Sequence, residues 1–141
     1  MHAPLPPESR EPKDDDLHVI NGLTICCDGL TSHFPPRRRV PDQEIEVARS
    51  FLAQCRRASL SHGWPYLVSS YLKHVTEKWA AGQPDLDCHY VATGAVIIAA
   101  LELGIAVAEA GKGSRDAAIG INVRDVKRLT RDTWYWSGCT L

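Results

Sequence analysis

The longest apolar run of the chain covers residues 90–110, and no other segment has enough hydrophobic side chains to form the centre of a core. We predict a buried helix over residues 91–104, with Gly104 either ending it or lying inside it at a cost of about 1 kcal/mol. A membrane span needs roughly 20 apolar residues. Glu102 and the glycines interrupt this run, and no lysine or arginine cluster flanks it closely, so a core helix is favoured over a membrane span.

Helical periodicity indicates three further segments that can pack on this central helix. The first begins at Pro41 and ends near residue 59, since proline suits the first helical position and the acidic residues after it favour the positive end of the helix dipole. The second covers residues 65–81 and ends before a Gly-Gln-Pro breaker. The third covers residues 123–132, with Asn122 as its N-cap.

A short β-hairpin is predicted over residues 17–27, where Asn21 and Gly22 lie between two β-prone runs. A type I′ turn requires positive φ at both central positions, and asparagine followed by glycine is the strongest short-range signal for it. A hairpin alone is only marginally stable in water. We therefore expect this one to pack against the helices.

Residues 1–16 form a segment of different composition, with four prolines and the acidic triplet Asp14, Asp15 and Asp16. Its few apolar side chains cannot offset the entropy lost on ordering, so we predict a disordered, solvated tail. We expect residues 17–141 to form one domain, because 141 residues are too few for two ordinary ones. The predicted fold class is mainly α, with three to four helices around the apolar helix 91–104 and one hairpin at 17–27.

The charge of the chain is nearly balanced, with 16 basic and 17 acidic residues and a net charge of −1. No global field favours nucleic acid or an anionic membrane, so such binding would need a local patch. The five cysteines are odd in number and scattered, unlike a disulfide framework, and no secretory signal peptide opens the chain. We expect a reduced protein of the bacterial cytoplasm.

Soft metal ligands are few, and they occur mainly as adjacent residues. A structural zinc site usually takes pairs spaced as CxxC or HxxxH, because adjacent residues reach one tetrahedral centre poorly. We therefore predict no metal and no other cofactor. The ligand set considered is Cys26, Cys27, His33, Cys88 and His89.

A thiol nucleophile is a separate candidate, which would combine Cys55 or Cys88 with His74 or His89. Nucleophilic catalysis needs an activating base held by a third group, and no local pattern supplies one at either cysteine. The chain also lacks the glycine-rich phosphate loops and the HExxH zinc motif. We expect a non-enzymatic protein and keep a cysteine-dependent enzyme as an open alternative.

The best candidate for a partner surface lies near the carboxyl end of the sequence, where an aromatic triplet follows the arginines of the last helix. Tryptophan, tyrosine and arginine together are typical of binding hot spots. The alternative for the aromatic side chains is that they cover the helical core. The predicted partner-binding residues are Arg124, Arg128, Arg131, Trp134, Tyr135 and Trp136.

DNA binding is the second candidate, because the basic side chains fall in two clusters. The last helix follows an apolar helix in a loose likeness to a helix-turn-helix, although the join from Gly104 to Asn122 far exceeds the three or four residues of that motif. If both clusters met on one face, phosphate contacts would make binding strongly dependent on salt. The residues concerned are Arg37, Arg38, Arg39, Arg124, Lys127, Arg128 and Arg131.

Two segments carry a resemblance: SSYLKHVTE at residues 69–77 and YVATGAVIIAA at residues 90–100. Together they resemble small accessory proteins of bacterial plasmids, phages and integrative elements, whose pattern is SSYxLKHxxE…YxxNGAxIAAA. The chain lacks one residue between Tyr71 and Leu72, and Thr93 stands where that pattern has asparagine. The resemblance implies an accessory gene of a mobile element, a setting in which inhibitors of host defence, anti-CRISPR proteins among them, are common.

These observations lead to one main functional hypothesis and one alternative. We expect a non-enzymatic inhibitor or modulator that binds a host protein or nucleoprotein complex in the manner of an anti-CRISPR protein. The near-neutral charge favours this over the alternative, a helix-turn-helix-like DNA-binding regulator. The sequence does not define the oligomeric state or the identity of the partner.

Overall fold

The computed structural model describes residues 17–30, 38–60 and 67–130, and every structural statement below refers to these residues. The predicted tail at 1–16, Arg37, Arg131 and the triplet Trp134, Tyr135 and Trp136 lie outside the described residues. The described chain forms four helices and two small antiparallel sheets. The elements are β1 (His18–Ile20), β2 (Leu23–Cys26), β3 (Gly29–Leu30), α1 (Asp42–Leu52), β4 (Leu67–Val68), α2 (Ser69–Ala81), α3 (Thr93–Glu102), β5 (Val107–Glu109), β6 (Ala117–Ile119) and α4 (Val123–Thr130).

Helix α3 is the centre of the molecule, and residues 94–100 are all buried. It packs against α1, α2 and both sheets, which explains why it is apolar on all sides rather than along one stripe. Gly104, at φ +75°, lies just past its end. The amide of Gly104 donates to Leu101 O and that of Ile105 to Ala100 O, the bond pair of a Schellman motif. Gly104 therefore terminates the helix instead of lying within it.

Helices α1 and α3 run in the same direction, as two side-chain contacts show. Near their amino ends, Glu44 Oε1 accepts a hydrogen bond of 2.7 Å from the amide of Ala92. Near their carboxyl ends, Arg49 Nη2 lies 2.8 Å from both carboxylate oxygens of Glu102. The carboxyl ends of both helices therefore lie on the same side of the molecule.

The hairpin predicted over residues 17–27 is partly present. Strands β1 and β2 pair through a turn in which Asn21 has φ +52° and Gly22 has φ +79°, as a type I′ turn requires. A third strand, β3, continues the sheet on the other side of β2. This sheet packs on α3, so the marginal hairpin gains a third strand and an apolar surface.

The prediction of a mainly α fold was wrong, because the chain contains a second sheet with strand order β4-β6-β5. The segments that form this sheet show no clear strand pattern in the sequence. The apolar run 90–110 is two elements: α3 ends at Glu102, and the run continues as β5. Strand β6 is buried throughout and so shows no alternation of apolar and polar residues. The protein is therefore an α+β mixture, with helices and antiparallel sheets around one core.

Two of the predicted helices are shorter than expected. Helix α1 ends at Leu52 rather than near residue 59, and the residues after it form a turn and an isolated bridge between Arg57 and Ile121. Helix α2 begins at Ser69, after the two residues of β4. Its first turn is capped from a distance: Asp116 Oδ1 accepts from the amide of Ser70 at 2.8 Å. No helix among residues 17–30, 38–60 and 67–130 has the length and apolar character needed to cross a membrane.

Candidate functional site

The candidate site lies where the chain leaving α1 meets the start of α4. The amide of Asn122 donates to the carbonyl of Arg56 at 2.8 Å, and the amide of Ala58 donates to Gly120 O at 2.8 Å. These two bonds flank the bridge between Arg57 and Ile121. The backbone of the segment after α1 is thus tied to the residues that introduce α4.

Asp125 joins these two segments through its side chain. Its Oδ2 atom accepts from the backbone amide of Arg56 at 2.7 Å and from Arg56 Nε at 3.1 Å, while Oδ1 lies 3.3 Å from Arg56 Nη2. Asp125 is only 5% exposed, and its own amide donates to Oδ1 of Asn122 at 3.2 Å, as the predicted N-cap requires. The guanidinium and amide of Arg56 lower the pKa of Asp125 below its usual range, and the same pair raises the pKa of Arg56.

The cations of these two segments all belong to the junction between α1 and α4, and together we call them the basic patch. Arg56, Arg57, Arg124 and Arg128 are exposed, and Lys127 is half-buried. Arg57 Nη2 donates to the carbonyl of Leu103 at the end of α3, and Arg128 Nη2 lies 3.9 Å from Asp125 Oδ1. Segments 53–58 and 122–130 contain one carboxylate, that of Asp125, against five cations. The basic patch comprises Arg56, Arg57, Arg124, Lys127 and Arg128.

A shallow pocket of about 240 Å³ opens beside the basic patch. Its apolar side is formed by Leu52, Leu103 and Ile105, and the guanidinium-bearing residues Arg56 and Arg57 border it. Leu52 and Ile105 are buried, so the pocket offers little apolar surface. The exposed guanidinium groups beside it suit an anionic group, such as a carboxylate or a phosphate.

The second basic cluster is attached to the opposite end of α1. Arg38 and Arg39 precede this helix, where Arg38 O accepts from the amide of Cys27 at 2.8 Å. The basic patch begins after the helix ends at Leu52. An eleven-residue helix is about 16 Å long, so the described parts of the two predicted clusters start from separate places rather than one.

The predicted helix-turn-helix arrangement is not formed by the described residues. Helix α3 ends at Glu102 and α4 begins at Val123, with the antiparallel strands β5 and β6 between them. The two helices of that motif are joined by a turn of three or four residues. Helices α3 and α4 therefore do not form a helix-turn-helix.

The cysteine side chains differ in their chemical surroundings. Burial, helped by the charge of Asp125, raises the pKa of Cys55 to about 12. Burial, helped by the charge of Glu44, raises the pKa of Cys27 to about 11. Both thiols are protonated near neutral pH, whereas the thiolate is the nucleophile and the metal ligand. Among the described residues, no three histidine, cysteine, aspartate or glutamate side chains are grouped so as to hold a metal ion.

The segments that carry the resemblance meet at the amino end of α3. Glu77 Oε2 accepts from the amide of Val91 at 3.1 Å, and both its oxygens lie 3.0 Å from Lys73 Nζ. The ammonium of Lys73 lies 4.7 Å from the ring centroid of Tyr90. Burial raises the pKa of Glu44, whose carboxylate accepts the hydrogen bond from the amide of Ala92. This polar cluster fixes the entry to α3, so we interpret these residues as structural.

Sequence reasoning found the cations of α4 but missed Arg56, Arg57 and Asp125 as parts of one site. The helix predicted to end near residue 59 would have included both arginines, but it ends at Leu52. Arg56 and Asp125 are 69 positions apart, and no local pattern indicates their contact. The one available signal was the acid three residues after the N-cap Asn122, a position where a side chain reaches back to cap a helix.

No protein-family model, curated protein or solved structure matches this chain. The resemblance to accessory proteins of mobile elements stays a prediction.

The pairing of Asp125 predicts how stability changes in acid. The pKa of aspartate in an unfolded chain is about 3.9, and that of Asp125 in the folded chain is lower. The unfolded chain therefore binds the proton first as the pH falls, and the pair stabilises the fold above about pH 4 but not below the folded pKa. We expect Asp125→Asn to lower the melting temperature at pH 7, and the difference from the wild type to shrink as the pH falls below about 4 toward the lowered pKa of Asp125.

Thermal unfolding followed by circular dichroism across this pH range is the measurement. Asp85→Asn is the matched control, since Asp85 is exposed on the loop after α2 and should show no such difference. If the melting temperatures of the wild type and Asp125→Asn differed by the same amount at every pH, an electrostatic role of Asp125 would be contradicted. The destabilisation would then come only from the altered shape and hydrogen bonding of the side chain.

Proposed function

We propose that this protein is a non-enzymatic binding protein that inhibits or modulates a host protein or nucleoprotein complex, and that the basic patch contacts this partner. The proposal includes the bacterial cytoplasm as its location and a mobile element as its source. The observation that supports it most is the construction of the basic patch. Arg56 is held in place by the buried carboxylate of Asp125, so its guanidinium is preorganised before any partner arrives.

Preorganisation matters because an arginine loses rotational freedom when it binds. Restraining a long side chain beforehand lowers the cost of association by roughly 0.5–1.5 kcal/mol for each side chain. Arginine is also among the three residues that dominate binding hot spots. A surface with Arg56, Arg57, Arg124 and Arg128 therefore favours a partner with acidic groups.

The predicted aromatic triplet begins close to the basic patch in the chain. Thr130 is the last described residue of α4, and Trp134 follows it by four positions. Four residues span at most about 14 Å, because an extended chain covers no more than 3.6 Å for each residue. Trp134 thus follows the arginines of α4 closely in the chain, which is the basis for proposing a joint arginine and tryptophan contact.

DNA binding by the same patch is the second candidate function. The observation that favours it is the excess of five cations over one carboxylate in the two segments that form the patch. Contacts to phosphates release counterions, so such binding weakens steeply as salt is added. The net charge of −1 makes it the weaker candidate, and so does the absence of a helix-turn-helix among the described residues.

The test is a charge reversal on α4. We expect Arg124→Glu/Arg128→Glu to reduce partner retention at least tenfold, since each reversal replaces attraction with repulsion at the centre of the patch. The tagged wild type and the variant are compared in a pull-down from bacterial lysate after nuclease treatment, with retained proteins quantified by mass spectrometry. A second variant, Trp134→Ala/Trp136→Ala, measures how much the aromatic residues contribute to partner retention.

The matched control is Lys112→Glu/Arg115→Glu, which changes the net charge equally but lies on the exposed turn between β5 and β6. It should retain the partner. Equal loss with both double variants would mean that only net charge matters and would contradict a specific patch. In a parallel pull-down without nuclease, nucleic acid that leaves as salt rises, with no protein companion, would favour the DNA-binding candidate instead.

A further inference from the structure

The turn between β1 and β2 exposes an asparagine that is followed by glycine. Asn21 and Gly22 are both exposed, with φ values of +52° and +79°. Apart from the chain neighbours of Gly22, no described atom lies within 4 Å of the position that a Cβ on this residue would occupy. The side-chain amide of Asn21 is therefore next to a peptide nitrogen that no side chain shields.

The polar groups of this turn are not engaged by the described part of the chain. The ladder pair nearest the turn joins Ile20 to Leu23, so the amide of Gly22 lies outside the pairing of β1 with β2. Among residues 17–30, 38–60 and 67–130, none accepts a hydrogen bond from this amide. None of these residues forms a hydrogen bond with the side chain of Asn21 either. Both groups are therefore available to react with each other.

Asparagine is a thermally labile residue, and the reaction responsible is an intramolecular substitution. The nitrogen of Gly22 loses its proton to hydroxide and attacks Cγ of Asn21. The new N–Cγ bond forms, the Cγ–Nδ2 bond breaks, and ammonia leaves with a proton taken from water. Water then opens the five-membered succinimide ring. Cleavage between the nitrogen and Cγ gives aspartate, whereas cleavage between the nitrogen and the main-chain carbonyl carbon gives isoaspartate.

We propose that Asn21 is a site of spontaneous modification, at which the folded protein forms isoaspartate and thereby loosens its first sheet with time. The main chain of isoaspartate runs through its side chain, which adds one carbon atom inside a two-residue turn. The register of Ile20 with Leu23 depends on this turn and cannot be kept.

Strand β1 is the element that the modification releases. It forms an edge of the first sheet, where β2 is its neighbour in the strand order. The aspartate product has the opposite consequence, because Asp-Gly also suits a type I′ turn and keeps the strands paired. The reaction needs water but no partner, so it is independent of the proposed function.

The second asparagine of the chain, Asn122, is an internal control. Its Oδ1 atom accepts a hydrogen bond from the amide of Asp125 at 3.2 Å, and the residue after it is Val123. We expect Asn21 to react at least about tenfold faster than Asn122, because a β-branched neighbour is stiff and crowds the attacking nitrogen.

Mass spectrometry of the purified full-length protein, aged in mildly alkaline buffer, measures both sites at once. Trypsin places Asn21 in peptide 14–37 and Asn122 in peptide 116–124. We expect peptide 14–37 to gain the mass that replacement of NH₂ by OH adds, at a rate that increases with pH. Electron-transfer fragmentation identifies isoaspartate at position 21. Equal conversion of the two peptides, or aspartate as the only product, would overturn the proposal.

Hydrogen exchange tests the structural consequence. We expect the amides of β1 to exchange about tenfold faster in the aged protein than in the fresh one, because the modified strand opens locally. The amides of α3 should exchange at the same rate in both samples. Unchanged exchange of β1 in a sample that contains isoaspartate would contradict the loosening of the sheet.

Asn21→Gly is the matched control variant. Gly-Gly also suits a type I′ turn, and the variant has no side-chain amide that can react. Its β1 amides should exchange equally in fresh and aged samples. If ageing accelerated their exchange as much as in the wild type, the damage would lie at another residue and the proposal would be overturned.

Discussion

Gly94→Ala should destabilise the protein by about 3 kcal/mol or more, because the added methyl group has no room. A Cβ atom at this position would overlap the carbonyl oxygen of Cys26 and lie 2.8 Å from its carbonyl carbon. It would also lie 2.9 Å from Cγ2 of Val40. Domains of this kind have a total stability of about 5–15 kcal/mol, so this loss is a large share of the whole.

The reason for this cost is that the neighbours of Gly94 cannot move cheaply. The amide of Gly94 donates to Cys27 O at 3.1 Å, so the first turn of α3 is hydrogen-bonded to the first sheet. The closest atoms belong to backbone rather than to the end of a flexible side chain. Relief would require the helix to separate from the strand, which would break this bond and open the core.

Equilibrium unfolding in urea, followed by circular dichroism, measures the effect. Gly111→Ala is the matched control: Gly111 lies after β5 with no atom within 4 Å of the position that a Cβ would occupy. We expect its stability to stay within about 0.5 kcal/mol of the wild type. If Gly94→Ala were as stable as Gly111→Ala, the close approach of α3 to the first sheet would be wrong.

The parts of the fold that were predictable from sequence are those with strong local signals. Asn21 and Gly22 specify a turn through their tolerance of positive φ, and the structure places both there. The apolar run predicts a buried helix, and residues 94–100 of α3 are fully buried. In both cases the signal lies within a few neighbouring residues and does not depend on distant contacts.

The second sheet could not be predicted in this way. Its strands contain only two or three residues each, which is too short for alternation to show. Strand β4 pairs with β6 across a long separation in the chain, from Leu67 to Ile119. Such pairing depends on which residues become buried when the core forms, so no local sequence pattern indicates it.

The candidate site was predictable only in part for the same reason. Arg124 and Arg128 were identified because basic residues cluster on one predicted helix. Arg56 joins them through Asp125, a contact between residues far apart in the chain. The local sequence shows which charged residues are present. It does not show which of these charges are already paired within the fold. That distinction requires the fold.

The patch and the core are linked through the carboxyl end of α1. Phe51 packs in the core one residue before Leu52 ends the helix, and the chain then turns into the segment of Arg56 and Arg57. The position of the basic patch therefore depends on how firmly α1 is held. A core substitution at this end should loosen the patch as well as the fold.

Phe51→Ala should reduce the free energy of unfolding by about 3–5 kcal/mol, the range typical of phenylalanine truncation in a core. Phe51 is fully buried, and its ring centroid lies 5.4 Å from that of Trp79 with an interplanar angle of 56°. A tilted pair of this kind adds about 0.5–1.5 kcal/mol beyond the area that it buries. Removing the ring therefore leaves a cavity and also ends this contact.

Urea unfolding monitored by circular dichroism gives the stability, with Ser50→Ala and Phe51→Leu as controls. Ser50 is exposed on the same helix, so Ser50→Ala should stay within about 0.5 kcal/mol of the wild type. Phe51→Leu keeps part of the volume and should fall between the two. If Phe51→Ala lowered the free energy of unfolding no more than Ser50→Ala, Phe51 would not hold α1 against α2. The proposed dependence of the basic patch on this part of the core would then be contradicted.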